Sequence, residues 1–403
     1  MTMRADKLEI IMSPLGLAAS WLLTRAARRL HWGSLCLVFP DGRRDFFRGA
    51  EPGPSAILEI RSWRMLLRLK TGGVGFAEGY LAGEWDTPDL AALLLLLAQN
   101  LEQISVRGRK PWRRWQRHFE DRRRGNDRQG SRRNISEHYD LGNDFYRHWL
   151  DDSMTYSAAL FERPDQPLEQ AQTAKFQRIA ELGGLQPGQQ VLEIGCGWGG
   201  FARWAAREIG CKLTAITISP AQYAHAAAAI QADGLGDRID LRLQDYRDIR
   251  GSFDRIVSIE MLEAVGLHYW PQYFAQVRDR LRNGGRAAIQ TITIASDAFD
   301  RYRGGVDFIQ KHIFPGGMLP PMPVLRQEVN RAGLHWHSDS AYGLHYAATL
   351  DRWRHRFEET WHKLQRPDLD ERFRKLWRFY LCYCEAGFRT GRLDVNQIAL
   401  IRP

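Results

Sequence analysis

Residues 191–200 read VLEIGCGWGG, and place Gly195, Gly197 and Gly199 at alternate positions after a short apolar run. Without a Cβ these residues let bare main chain approach a ligand and let the chain turn through conformations closed to other residues. Further on, LQDYRD brings Gln244 and Asp245 to the end of another run, and SIEMLEAVG does the same for Glu260 and Glu263. A glycine turn with polar groups converging on it binds a small polar ligand, and Glu260 and Glu263 stand at the mouth of the same cleft. A phosphate-binding P-loop is excluded, because no Gly-Lys-Ser/Thr follows the glycines. A dinucleotide is disfavoured, because GxGxxG is incomplete and the next strand-like run, TAITISPAQ, carries no acid at its tip.

The elements that must position these residues alternate from residue 134 onward. QQVLEI, KLTAITI, RIDLRLQ, FDRIVSIE and RAAIQTITI read as strands, with FARWAAREI, PAQYAHAAAAIQADG and WPQYFAQVRDRL as helices among them. Such alternation predicts an α/β fold, a doubly wound, mostly parallel sheet with its ligand at the carboxyl ends of the strands. Two aromatic-rich helical segments near 353–366 and 371–390 follow, and VNQIALI reads as a closing strand. Ahead of this, residues 1–106 read as a small α+β domain. SLCLVF and RDFFR flank Asp41-Gly42 as a hairpin, AILEIRS and RMLLRLK continue the strand alternation, and a helix begins near Thr87 (N-cap) and Pro88.

Between the two lies a basic linker, residues 107–133, with 12 Arg or Lys against 3 acids and almost no aliphatic content. Over the whole chain 57 Lys and Arg oppose 47 Asp and Glu, a net charge of +10. A solvated linker and a phosphate-binding collar with Trp112 and Trp115 among the cations are both open readings. The five cysteines form no paired CxxC array, so no metal is expected, and an odd count without a secretion signal fits a cytoplasmic protein. LEIIMSPLGLAASWLL carries Glu9 and Pro14, is shorter than the roughly 20 residues that span a bilayer, and reads as an amphipathic helix on a core or a membrane surface.

The E-x-G-x-G form of the glycine loop resembles motif I of class I S-adenosylmethionine-dependent methyltransferases. HYDLGNDFY (138–146), MTYSAALF (154–161), TAITISPAQ, LQDYRD and IFPGG (313–317) extend the likeness. Together they look like the cyclopropane-fatty-acyl-phospholipid synthase family, which includes the mycolic acid cyclopropane synthases, over residues 134–403. GFAEGYLAGEWDTPDL resembles that family's N-terminal, lipid-engaging domain. The resemblance implies methyl transfer from S-adenosylmethionine to the double bond of an unsaturated phospholipid acyl chain, giving a cyclopropane, by an enzyme peripheral to an anionic membrane surface and acting as a homodimer.

It also implies roles. Gly195 and Gly197 would receive the methionine part of the cofactor, with Trp198 beside the sulfonium. Thr217, Ile218 and Gln222 would contact ribose and tail, and Gln244, Asp245 and Tyr246 the adenine. Tyr139, Tyr156 and Ser157 would close over the cofactor, and Glu260 would stand at the mouth of the same cleft. Phe308, Ile313, Phe314, Met318 and Leu319, in an insertion near 297–325, would line the acyl groove. In the family a bound bicarbonate removes a proton from the new methyl group, held by a Cys, a Glu, a His and a Tyr. Glu263 and Tyr346 match two of these, but Ala158 replaces the Cys and Gln290 the His. Gln290 can still donate a hydrogen bond but cannot change protonation state. Glu263, Tyr346 and Gln290 are therefore the expected catalytic set, with a methyl-branched or methylene product, and a partner reductase, as the alternative outcome. A nucleic-acid methyltransferase is a remote reading, since EMLE stands where such enzymes carry [DN]PP[YFW], and no nucleic-acid partner is expected. A non-catalytic lipid-binding protein is disfavoured by the retained loop, Glu263 and Tyr346.

Overall fold

The computed structural model describes residues 14–104, 126–127, 130, 141–364 and 366–403. The chain forms two compact units: residues 1–110 with 361–390, and residues 111–360 with 391–403. The domain expected to run unbroken from 134 to 403 thus gives up residues 361–390, whose helix Glu371–Arg389 packs on the helix Leu90–Gln99. Tyr80 and Phe379 meet there with ring centroids 5.9 Å apart.

The first unit carries a four-stranded sheet, ordered β2-β1-β3-β4. β1 (Trp32–Val38) and β2 (Arg44–Arg48) form the hairpin expected at Asp41-Gly42, while β3 (Glu51–Ile60) runs parallel to β1 and β4 (Trp85–Asp86) closes the edge. RMLLRLK is not a strand but lies in a short helix, Arg64–Arg68, and the 3-10 turn after it. The glycine-rich GVGFAEGYL is itself helical, and the next helix is capped by Asp89, which accepts from the Ala92 N–H at 2.9 Å, rather than by Thr87. A carboxylate two residues nearer the apolar run out-competes the threonine for the free N–H groups.

The second unit is a seven-stranded sheet in the order β10-β11-β9-β8-β5-β6-β7. β5 (Gln190–Ile194), β6 (Lys212–Thr217), β7 (Ile239–Leu243), β8 (Phe253–Ile259) and β9 (Leu281–Ile294) are parallel. β11 (Leu393–Ile401) enters antiparallel beside β9, and β10 (His335–Ala341) pairs antiparallel at the edge. Sequence reading missed β10, whose alternately exposed HWHSDSA lacks the aliphatic run of a central strand. Neighbouring strand residues feed opposite faces: Leu192, Ile194 and Ile256 join one buried cluster, Val191 and Val257 another. With both faces covered by helices, only the strand ends remain for a ligand, and the order reverses between β5 and β8.

Candidate active site

At the end of β5 the backbone of Gly195 (φ +81°) and Gly197 (φ +54°) is left-handed. The Gly195 and Cys196 N–H groups both donate to the Ile216 carbonyl, at 3.1 and 2.9 Å, tying the loop to β6. A Cβ on Gly195 would strike Met261, whereas one on Gly197 would meet nothing within 4 Å. Gly197 therefore leaves bare backbone beside open space, the cradle a cofactor tail requires. The polar strand ends converge on the same row. Thr217 Oγ1 donates to Gln222 Oε1 at 2.9 Å, with Ile218 half-buried between them in sequence, and Gln244 Nε2 donates to the Asp248 carbonyl at 3.0 Å. Asp245 gives both carboxylate oxygens to Arg247, at 2.9 and 2.7 Å. The Tyr246 hydroxyl is buried without a hydrogen-bond partner, and burial pushes it up to about 12. These residues fit the cofactor the loop implies.

Trp198 is buried, with its indole N–H on Asn143 Oδ1 at 2.7 Å and its ring 5.0 Å from Tyr146. Tyr156 packs on Tyr146, Trp149 and Trp353. Ser157 Oγ accepts from Lys175 at 2.7 Å; burial lowers that amine to about 8, against the pull of Glu260, Asp151 and Glu193. Tyr139 lies outside the described residues.

The matching family model is mycolic acid cyclopropane synthetase, over residues 126–398. The chain belongs to this family. A tuberculostearic acid methyltransferase of Mycobacterium tuberculosis is 39% identical over 394 residues, 95% of this chain and 91% of that one. The cyclopropane-fatty-acyl-phospholipid synthase of Escherichia coli K12 is 34% identical over 83% of this chain and 84% of its own length. Among solved structures, a cyclopropane synthase of M. tuberculosis superimposes with a TM-score of 0.62 at 32% identity, over 67% of this chain and 97% of that chain. A mycolic acid cyclopropane synthase in complex with SAH and CTAB gives 0.61 at 31%, with the same coverage. As a member of the cyclopropane synthetase family the protein has the class I methyltransferase fold, and it is an S-adenosylmethionine-dependent methyltransferase acting on lipids.

On the other side of the row, the structure gathers a carboxylate network. Glu260, placed by sequence at the cleft mouth with the cofactor group, is bonded instead to the catalytic candidates. Its Oε1 accepts from the Ala158 N–H at 2.8 Å and from Gln290 Nε2 at 2.8 Å, and its carboxylate also takes the Tyr346 hydroxyl. Burial raises its carboxyl above the usual range, opposed by these donors. Glu263 Oε1 accepts from Thr291 Oγ1 at 3.0 Å and from the Ile292 N–H, while its Oε2 is buried without a partner. Burial first, then the charge of Glu260, pushes Glu263 up to about 8. Sequence reading missed Gln397, which lies opposite Gln290 in the β9–β11 ladder and donates to its Oε1 at 2.9 Å. A glutamine inside the apolar VNQIALI was the available signal. It also missed buried Lys175, whose place among apolar residues of QTAKFQRIA marks it.

Of the insertion residues expected to line an acyl groove, Phe314 is half-buried. Phe308, Ile313 and Met318 are buried, and Leu319 packs against the core cluster that holds Met318.

Proposed function

We propose that the protein methylates a carbon of the double bond in an unsaturated phospholipid acyl chain and releases an open methylene or methyl-branched chain. The observation that carries this reading is a contiguous set of aromatic rings running up to Glu260, whose charge acts on neighbouring Glu263. Tyr346, bonded to Glu260, lies 5.9 Å from Trp353, and Trp353 lies 5.3 Å from Tyr156. S-adenosylmethionine, held by the glycine loop, would supply an electrophilic methyl group. An alkene is a weak nucleophile, so the residues of the chain must hold it in line and keep water away. The resulting carbocation is steadied by aromatic faces and carboxylate charge, which this cluster offers.

Support for an open product comes from Ala158 and Gln290, which supply no ionisable side chain, and from the similarity to a tuberculostearic acid methyltransferase over nearly the whole chain. A hydride shift toward the first cation places the charge on the methyl-bearing carbon, and loss of a methyl proton then gives a methylene. Reduction to a saturated branch needs two electrons from a partner reductase. The second reading is ring closure, favoured by the cyclopropane synthase relative. The first unit suits the lipid surface: Trp21, Leu22, Phe46 and Leu67 are exposed on it, and the chain's net charge is +10. No helix among the described residues is long and apolar enough to cross a membrane.

The test is incubation with S-adenosylmethionine and monounsaturated phosphatidylglycerol vesicles, followed by mass spectrometry and NMR of the fatty acids. Methylene and cyclopropane both add one CH₂, so NMR separates vinylidene from ring protons. Ring protons would refute the open product, and no added carbon would refute acyl-chain methylation.

A further inference from the structure

We propose that the Glu260 carboxylate is a built-in anion, which fills the place that family resemblance reserves for bicarbonate and takes the proton released from the new methyl group. This rests on the alkene-methylation reading above.

The first observation is backbone. Among the described residues only Met154 and Glu260 have positive φ without being glycine, and Glu260 sits at +50°. That region costs a non-glycine residue about 1–2 kcal/mol. Here the turn is locked by the Glu260 N–H, which donates to the Gln290 carbonyl at 2.8 Å. Strain kept at a cleft is explained when it aims a side chain.

The second observation is where that side chain goes. The Ala158 N–H, the Gln290 amide and the Tyr346 hydroxyl all donate to the Glu260 carboxylate. Gln397 donates to Gln290 Oε1, which fixes the Gln290 amide so that its NH₂ faces the carboxylate. Three convergent donors stabilise an anion, and Ala158 brings no side chain to crowd it. The residues therefore do not fit a free bicarbonate, because at three of the four positions that would hold it, Ala158, Gln290 and Tyr346, the donors present are engaged by Glu260.

The step balances. A C–H bond of the transferred methyl breaks, and its electron pair forms the methylene C=C after hydride shift, or the third ring bond without one. The proton goes to Glu260 and leaves to solvent when the product departs. Glu260 serves either outcome, so the inference does not depend on which product forms.

The experiment uses the full chain, monounsaturated phosphatidylglycerol vesicles and buffer stripped of carbon dioxide. Wild-type turnover is expected to be unchanged when bicarbonate is added. Glu260→Gly suits the positive φ but leaves the Ala158 and Gln290 donors without this acceptor, and circular dichroism checks that it folds. It should lose 10²–10⁴-fold in rate, the usual range for removing a general base. Added bicarbonate should restore at least tenfold and raise the melting temperature of this variant but not of the wild type. Glu260→Gln should be slow and not rescued. SAH affinity by calorimetry should stay within about twofold in both variants. Bicarbonate dependence of the wild type would overturn the proposal and leave alkene methylation standing, as would full rate in anion-free Glu260→Gly. No product from the wild type with any lipid would overturn both readings.

Discussion

After β5 the chain enters left-handed backbone at Gly195 and Gly197; after its neighbour β8 it does so at Glu260. At the first turn the residues are those that make this conformation cheap, and what is gained is empty space against main chain. At the second the residue is one for which it is costly, and what is gained is a carboxylate in a fixed place. Met261, next to Glu260, is the side chain a Cβ on Gly195 would strike, so the turns are neighbours. One sheet end thus holds a surface left bare for a ligand and a charge supplied by the protein.

The sharpest way to break this comparison is Gly197→Ala. Backbone strain would be present with and without ligand and so cancels in binding, and the new Cβ meets no protein atom within 4 Å. Any loss of affinity must then come from the ligand's own room. Overpacking of that kind costs about 2–3 kcal/mol, so SAH binding should weaken on the order of a hundredfold in calorimetry, with a modest drop in melting temperature. Unchanged binding would reduce Gly197 to a turn residue.

Next in size is Tyr346→Phe, which removes one donor from the Glu260 carboxylate while the ring stays packed beside Trp353. A hydrogen bond to a charged group contributes about 1.5–3 kcal/mol. Steady-state assays on lipid vesicles should show kcat lower by roughly ten- to a hundredfold, with SAH affinity preserved. If lipid KM alone changed, Tyr346 would belong to acyl binding and not to the anion's support.

The two turns also differ in how readable they were. The glycine loop announces itself, because glycines at alternate positions after a strand have few other uses, and the parallel sheet follows from strand–helix alternation. Glu260 was seen as an acid at a strand end, but its partners were not legible. Ala158 is 102 positions away in the chain, and its contribution is a backbone N–H, which any residue could supply. Gln290 and Gln397 meet only because β11 enters antiparallel beside β9 in one register. Departures from the family pattern at Ala158 and Gln290 mark the place, although they do not show that the carboxylate just after β8 accepts hydrogen bonds from both. The unit that residues 361–390 cluster with is illegible for a similar reason: an amphipathic helix shows that it has an apolar face, not which unit covers that face.

The smallest effect tests the charge balance between the two acids. Glu263 carries a buried, unpartnered Oε2 and is pushed to about 8 by burial and by Glu260. Its folded value lies above its unfolded value of about 4.3, so the native state binds more protons between the two, and stability is lost as pH rises through that window. Glu193, also raised to about 8, acts in the same sense; Lys175, lowered to about 8, acts in the opposite sense only above that pH. Glu263→Gln removes one contribution and keeps the shape. Its melting temperature relative to wild type should therefore climb steadily from pH 5 to pH 8 in thermal unfolding. A difference that stays flat would mean that Glu263 is already ionised at pH 5. The two acids would then be two charges side by side, and the donors around Glu260 would have to hold both.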